Sequence, residues 1–106
     1  MRTLFAAALV LALASCNKAT VEQCDRGCRN YFTLHYWESA EREIAAAPES
    51  EREALRAKKV SELEPRLMQE LDLCVQKCRS GADETRVKCW IKAKTSADAR
   101  KCTNDD

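Results

Sequence analysis

Apolar residues are arranged in two ways along this chain. Thr3 to Ala14 (TLFAAALVLALA) is one continuous apolar run, and everything after it is mixed, with apolar positions recurring at helical intervals. The clearest periodic stretch is Val60, Leu63, Leu67, Leu71, Cys74 and Cys78, which falls within an arc of roughly 80° at about 100° per residue. Such a stripe predicts one long helix with a buried face. Its 3-4-4-3-4 spacing is closer to an eleven-residue repeat than to heptads, so the helix and its partner should lie nearly straight. Pro65 sits on the opposite side, and the apolar phase passes through it. A kinked helix whose lost hydrogen bond faces water is therefore expected, with two helices meeting at Pro65 as the alternative.

The remaining elements follow from their end signals. Ala46-Ala47-Pro48-Glu49-Ser50 breaks the pattern near the middle of the chain, and Pro48 suits the first turn of a new helix, with Glu49, Glu51 and Glu53 favouring its N-terminal dipole. Gly81 is placed to take a left-handed C-terminal cap. A third helix is then expected from about Glu84 to Lys94, docking on the first two through Val87, Trp90 and Ile91. Thr95 with Asp98 reads as a capping box opening a last short helix to about Cys102. The fold class is all-α, a hairpin of two helices of about 28–31 residues, roughly 40–45 Å long, plus a short C-terminal helical pair.

The cysteines refine this outline. Cys24 and Cys28 are four apart on one helical face, as are Cys74 and Cys78. Two thiols at i and i+4 are poorly placed to bridge each other within a regular helix. If the two helices run antiparallel, Cys24 meets Cys78 and Cys28 meets Cys74, and the turn must lie near residue 51, where Pro48 independently places it. A Cys89 to Cys102 bridge would pin the last helix to the third. This twin CX3C arrangement resembles the helical hairpins of the mitochondrial small translocase chaperones and, in style, CHCH domains. The resemblance covers the four cysteines and the hairpin; the segment between the motifs is longer here.

The opening run has the size of a signal-peptide core and is too short for a mature membrane-spanning helix. Met1-Arg2 precedes it, and Leu13-Ala14-Ser15-Cys16 follows. The last four residues resemble the bacterial lipobox, which implies cleavage after Ser15, lipid on Cys16 and permanent attachment to a membrane. The expected organisation is a signal in 1–15, a lipidated tether in 16–20 and a stapled domain in 21–106. Asn17 differs from the Asp that resembles an inner-membrane retention signal, which favours the outer membrane. Six remaining cysteines in an exported chain fit a disulfide framework. The 106 residues carry 18 basic and 17 acidic side chains, and losing Arg2 balances them. That leaves no electrostatic footprint for nucleic acid.

The most unusual local feature is Tyr31-Phe32-Thr33-Leu34-His35-Tyr36-Trp37, which holds four of the chain's six aromatics. On a helical wheel Tyr31 and His35 share the cysteine side, Phe32 and Tyr36 flank the other edge, and Leu34 and Trp37 point away. One partner helix cannot cover them all. The second and third helices together would make them core; otherwise Tyr31, Phe32, Tyr36 and Trp37 form a surface for a partner or ligand. His35, the only histidine, could join Cys24 and Cys28 in a metal site, but bridged sulfurs do not ligate and no CxxC is present, so neither metal nor other cofactor is expected. No hydrolase, metalloprotease or nucleotide-binding motif appears either. The charges of Glu49 to Lys59 interleave as on a solvated helix face. Gly27, costly inside a helix, is suited to close approach by the third helix.

These features point to a non-catalytic, lipid-anchored envelope protein with a structural or protein-interaction role and an envelope protein as partner. A carrier or chaperone-like role is the alternative, and it requires an open apolar groove. A metal-handling role would require free thiols around His35.

Overall fold

The computed structural model describes residues 18–104, so the leader 1–15 and the lipobox cysteine Cys16 lie outside the described residues. Among the described residues there are four helices and no strand: α1 (Val21–Ala46), α2 (Arg52–Gly81), α3 (Glu84–Lys92) and α4 (Ser96–Asn104). No described helix is long and apolar enough to cross a membrane.

Helix α1 begins at a reciprocal capping box. Thr20 Oγ1 accepts from the Gln23 backbone N–H at 3.1 Å, and Gln23 Oε1 accepts from the Thr20 N–H at 2.9 Å. It ends before Pro48, which introduces a single 3-10 turn at Glu49–Glu51 leading into α2. Arg52 closes the corner by donating to the carbonyls of Ala47 and Ala45 at 3.0 and 3.1 Å, placing a cation on the C-terminal end of α1. The expected turn is where the cysteine register required it.

Helix α2 runs unbroken through Pro65, which removes the alternative of two helices. Pro65 and Ser61, whose carbonyl loses its partner, are both exposed, so the lost bond lies on the solvent side as expected. The buried stripe departs from expectation at its far end, where Val60 is 59% exposed. The physical reason is that the line facing α1 follows the i, i+4 ridge Leu55, Lys59, Leu63, Leu67 and Leu71, which drifts by about 40° per step instead of keeping one arc. Lys59 replaces Val60 on that line, its stem covered to 13% exposure while its ammonium reaches Glu43.

Gly81 is not the left-handed cap the sequence suggests. It is the last residue of α2, no described residue has positive φ, and Ala82 caps the helix in extended geometry. Only Ala82 and Asp83 separate α2 from α3. Asp83 is already the N-cap of α3, its carboxylate accepting from the Arg86 N–H at 2.8 Å, so the chain has to leave α2 extended.

Three bridges fix the arrangement: Cys24–Cys78, Cys28–Cys74 and Cys89–Cys102, with Cα separations of 5.8, 6.0 and 5.7 Å. The first two impose the antiparallel register of α1 and α2. Helix α3 crosses close over α1 at Gly27, where a Cβ would lie 3.2 Å from Val87 Cγ1 and 3.5 Å from Trp90 Cβ. Val87 is fully buried there and forms a core with Cys24, Cys28, Leu71, Cys78 and Ala82. Asn30 donates to the carbonyls of Trp90 and Ala93 at 2.7 and 2.9 Å, capping the end of α3 at Lys92, slightly short of the expected Lys94. Thr95 Oγ1 accepts from the Asp98 N–H at 3.0 Å and opens α4, which is one half of the expected capping box.

Candidate functional site: an apolar groove between two helices

Both α2 and α3 pack along α1 and hardly meet each other. Two cylinders resting on a third without touching leave a channel between them, and here that channel is a groove of about 720 Å³. Its walls are Tyr31 and Phe32 from α1, Leu67, Leu71 and Leu73 from α2, and Trp90 from α3. The two hairpin disulfides run along its floor, because Cys28, Cys74 and Cys78 also border it. Leu71 is buried, whereas Leu73 is 52% exposed and stands at the lip. Trp90 is oriented from both sides: its ring centroid lies 5.6 Å from that of Tyr31, and its indole N–H donates to Thr103 Oγ1 at 3.3 Å. Volume and lining are those of a small-ligand site.

The groove is electrostatically polarised. Lys77 and Arg86 border it at the stapled end, and Glu70 borders it two turns of α2 away. Among the described residues neither cation makes an ion pair. Sequence spacing explains this. Lys77 has Leu73 and Gly81 at i−4 and i+4, and Arg86 has Ala82 and Trp90, so neither has a carboxylate at i±4. Asp83, three residues before Arg86, directs its carboxylate to the helix N-terminus instead. Lys88 is paired with Glu84 at 3.0 Å, and Gln23 also donates to Glu84 at 3.2 Å; both bonds hold that carboxyl below its usual range.

Of the four aromatics singled out from the sequence, Tyr31 and Phe32 face this groove. Tyr36 lines a second, more polar cavity of about 450 Å³ with Lys59, Glu43 and Arg66, and Trp37 lines neither. All four are half-buried. Tyr36 is anchored by a 2.6 Å bond from its hydroxyl to the Lys59 carbonyl, and Trp37 packs edge-on against it at 5.6 Å. The aromatic cluster is thus divided between groove and hairpin seam.

His35 and Ser96 belong to a separate latch between α1 and α4. Ser96 Oγ lies 2.5 Å from His35 Nδ1 and accepts from Arg100 at 3.0 Å, and Arg100 also donates to Glu38 at 3.3 Å. Burial is the main cause that lowers the His35 pKa, with Arg100 adding to it. The Ser96 hydroxyl, followed by Arg100, holds Glu38 below its ordinary range. An arrangement consistent with these partners has neutral His35 donating from Nδ1 to Ser96 while the hydroxyl proton goes to Glu38. Nε2 is then an unpartnered buried acceptor. Ser96 is buried and borders neither cavity. Cys24 and Cys28, the thiols nearest His35 on its helical face, are both bridged.

The sequence reading names the aromatics but misses Lys77, Arg86 and the leucines as parts of one site. The absence of acidic residues at i±4 from either cation was a legible signal. Comparison with protein-family models, with curated proteins and with solved structures finds no match to this chain.

Proposed function

We propose that this chain is a non-catalytic binding protein of the bacterial cell envelope, held by lipid on Cys16 and using the groove between α2 and α3 to hold an apolar ligand. The observation that carries this reading is the groove itself: an apolar channel bordered by the two hairpin disulfides, of the kind a carrier role requires and a purely structural hairpin does not. The lipobox-like Leu13-Ala14-Ser15-Cys16 supports the anchor. Lys18, two residues beyond that cysteine, forms a backbone bridge with Asp83 beside the cationic end of the groove. With the described chain beginning there, a short linker from Lys18 to lipid on Cys16 would keep the site close to a membrane. Six bridged cysteines fit an oxidising compartment.

Two measurements test the reading. Cys16→Ser should move the protein from the membrane pellet to the soluble envelope fraction, and retention in the pellet contradicts the anchor. The oxidised protein should enhance the fluorescence of an apolar dye, and Leu73→Glu should weaken that binding without changing thermal stability. A dye signal unaffected by Leu73→Glu contradicts the groove as the site.

A further inference from the structure

We propose that the ligand of the groove is a single-chain amphiphile with an anionic head, specifically a long-chain carboxylate, lying with its alkyl chain toward Phe32 and Leu67 and its carboxylate between Lys77 and Arg86. The proposal rests on the reading of the groove as a ligand site and adds the chemistry and orientation of what fills it.

Shape sets the first constraint. The groove follows α2 from Leu67 to Gly81, roughly 21 Å at 1.5 Å per residue, of which Leu67 to Lys77 is roughly 15 Å, so an extended hexadecanoate with its head at Lys77 fills that stretch and its last carbons pass Leu67. Its volume suits one such chain and is small for a peptide helix about 10 Å across. The lining fits as well: leucines from α2, aromatic rings from α1 and α3, and disulfide cysteines bordering it.

Charge sets the second. An alkyl chain alone leaves two cations at one end unexplained. Lys77 and Arg86 come from different helices, both border the groove, and neither is paired among the described residues. A carboxylate between them would accept charge-assisted bonds from both, and the guanidinium offers a planar fork suited to it. Glu70, about 10 Å away along α2, repels an anion at the opposite end. One orientation of an anionic amphiphile satisfies both ends, and the reverse orientation satisfies neither. A membrane surface is the weaker fit, since two cations at one end of a concave channel do not form the broad basic face that anionic bilayers attract.

Hexadecanoate and the uncharged hexadecanol are titrated into the full oxidised chain and into a Lys77→Glu/Arg86→Glu variant, with circular dichroism confirming the fold; Lys77→Gln/Arg86→Gln serves if charge reversal disturbs it. The expected result is one hexadecanoate per chain, at least tenfold weaker binding to the variant, and unchanged hexadecanol binding. Equal hexadecanoate affinity in both proteins overturns the head-group assignment. Hexadecanol or an apolar peptide binding where hexadecanoate does not overturns the ligand class while leaving the groove a binding site. Failure of every apolar probe overturns both. Binding only to anionic phospholipid vesicles replaces the free amphiphile with a membrane surface and contradicts the proposal.

Discussion

The two halves of the hairpin share the same helices but are held together by different means. At the stapled end two disulfides, a closed core around Val87 and the crossing of α3 at Gly27 enclose α1 from two sides. Toward the Pro48 turn, α1 and α2 meet as a bare pair. There the contact consists of Ala40, Ile44 and the half-buried Leu55 and Leu63, the Tyr36 to Lys59 hydrogen bond, and the Lys59–Glu43 and Arg56–Glu41 ion pairs. Covalent and apolar terms hold one end, and polar terms near water, individually weak, contribute much of the hold at the other. The groove lies in the covalently framed half. Its shape therefore does not depend on the part of the molecule that opens most easily.

Removing the Cys24–Cys78 bridge with Cys24→Ala/Cys78→Ala should have the largest effect. The bridge spans 54 residues, but Cys28–Cys74 stays closed inside it, so the loop it adds is only about ten residues and stabilises by roughly 3 kcal/mol in the chain-entropy model. Denaturant unfolding should show most of that loss, and an unchanged midpoint would contradict the division between the halves. Gly27→Leu comes next. With Val87 Cγ1 only 3.2 Å from a Cβ at this position, the larger side chain has to push α3 off α1, at about 1–3 kcal/mol. That variant should also lose apolar-dye binding, because α3 is one wall of the groove.

In the polar half, effects should be smaller. Tyr36→Phe removes the bond to the Lys59 carbonyl and should cost ~1 kcal/mol, with no change in ligand binding. Acidification probes the weakest terms. Lys59 and Arg56 hold Glu43 and Glu41 below the usual carboxylate range, so the stability they contribute is complete above that range and is lost as pH falls through their folded values. His35 acts in the same direction at higher pH. Its folded pKa is lowered, so the unfolded chain takes the proton first, and stability declines as pH falls below about 6.5. A pH titration of thermal stability should thus decline on the acid side in two stages, and the higher one should disappear in His35→Asn.

The features legible in the sequence were those fixed by spacing. Cysteines four apart on two helices allow one antiparallel register, and Pro48 independently marks its corner. Gly27 was readable as a close approach because a glycine inside a helix needs a packing reason. Less was legible where the outcome depends on how helices lie on one another. A wheel assigns Val60 to the seam, but the seam follows a drifting ridge and takes Lys59 instead. The Gly81 cap failed because Asp83 already serves α3 and leaves no room for a left-handed turn. The groove was hidden for the same reason: its residues come from all four helices, and only their packing on one another brings them together. The Thr20–Gln23 capping box, by contrast, was written in four consecutive residues and is a signal that periodicity does not display.

Native-state hydrogen exchange, resolved by peptide, tests the contrast between the halves most directly. Amides of residues 24–34, 70–80 and 86–91 should exchange only through global unfolding, while those of residues 40–46 and 52–62 should open at a distinctly lower free energy, with the disulfides intact. Uniform protection along both helices, or earlier opening of the stapled end, would contradict the account.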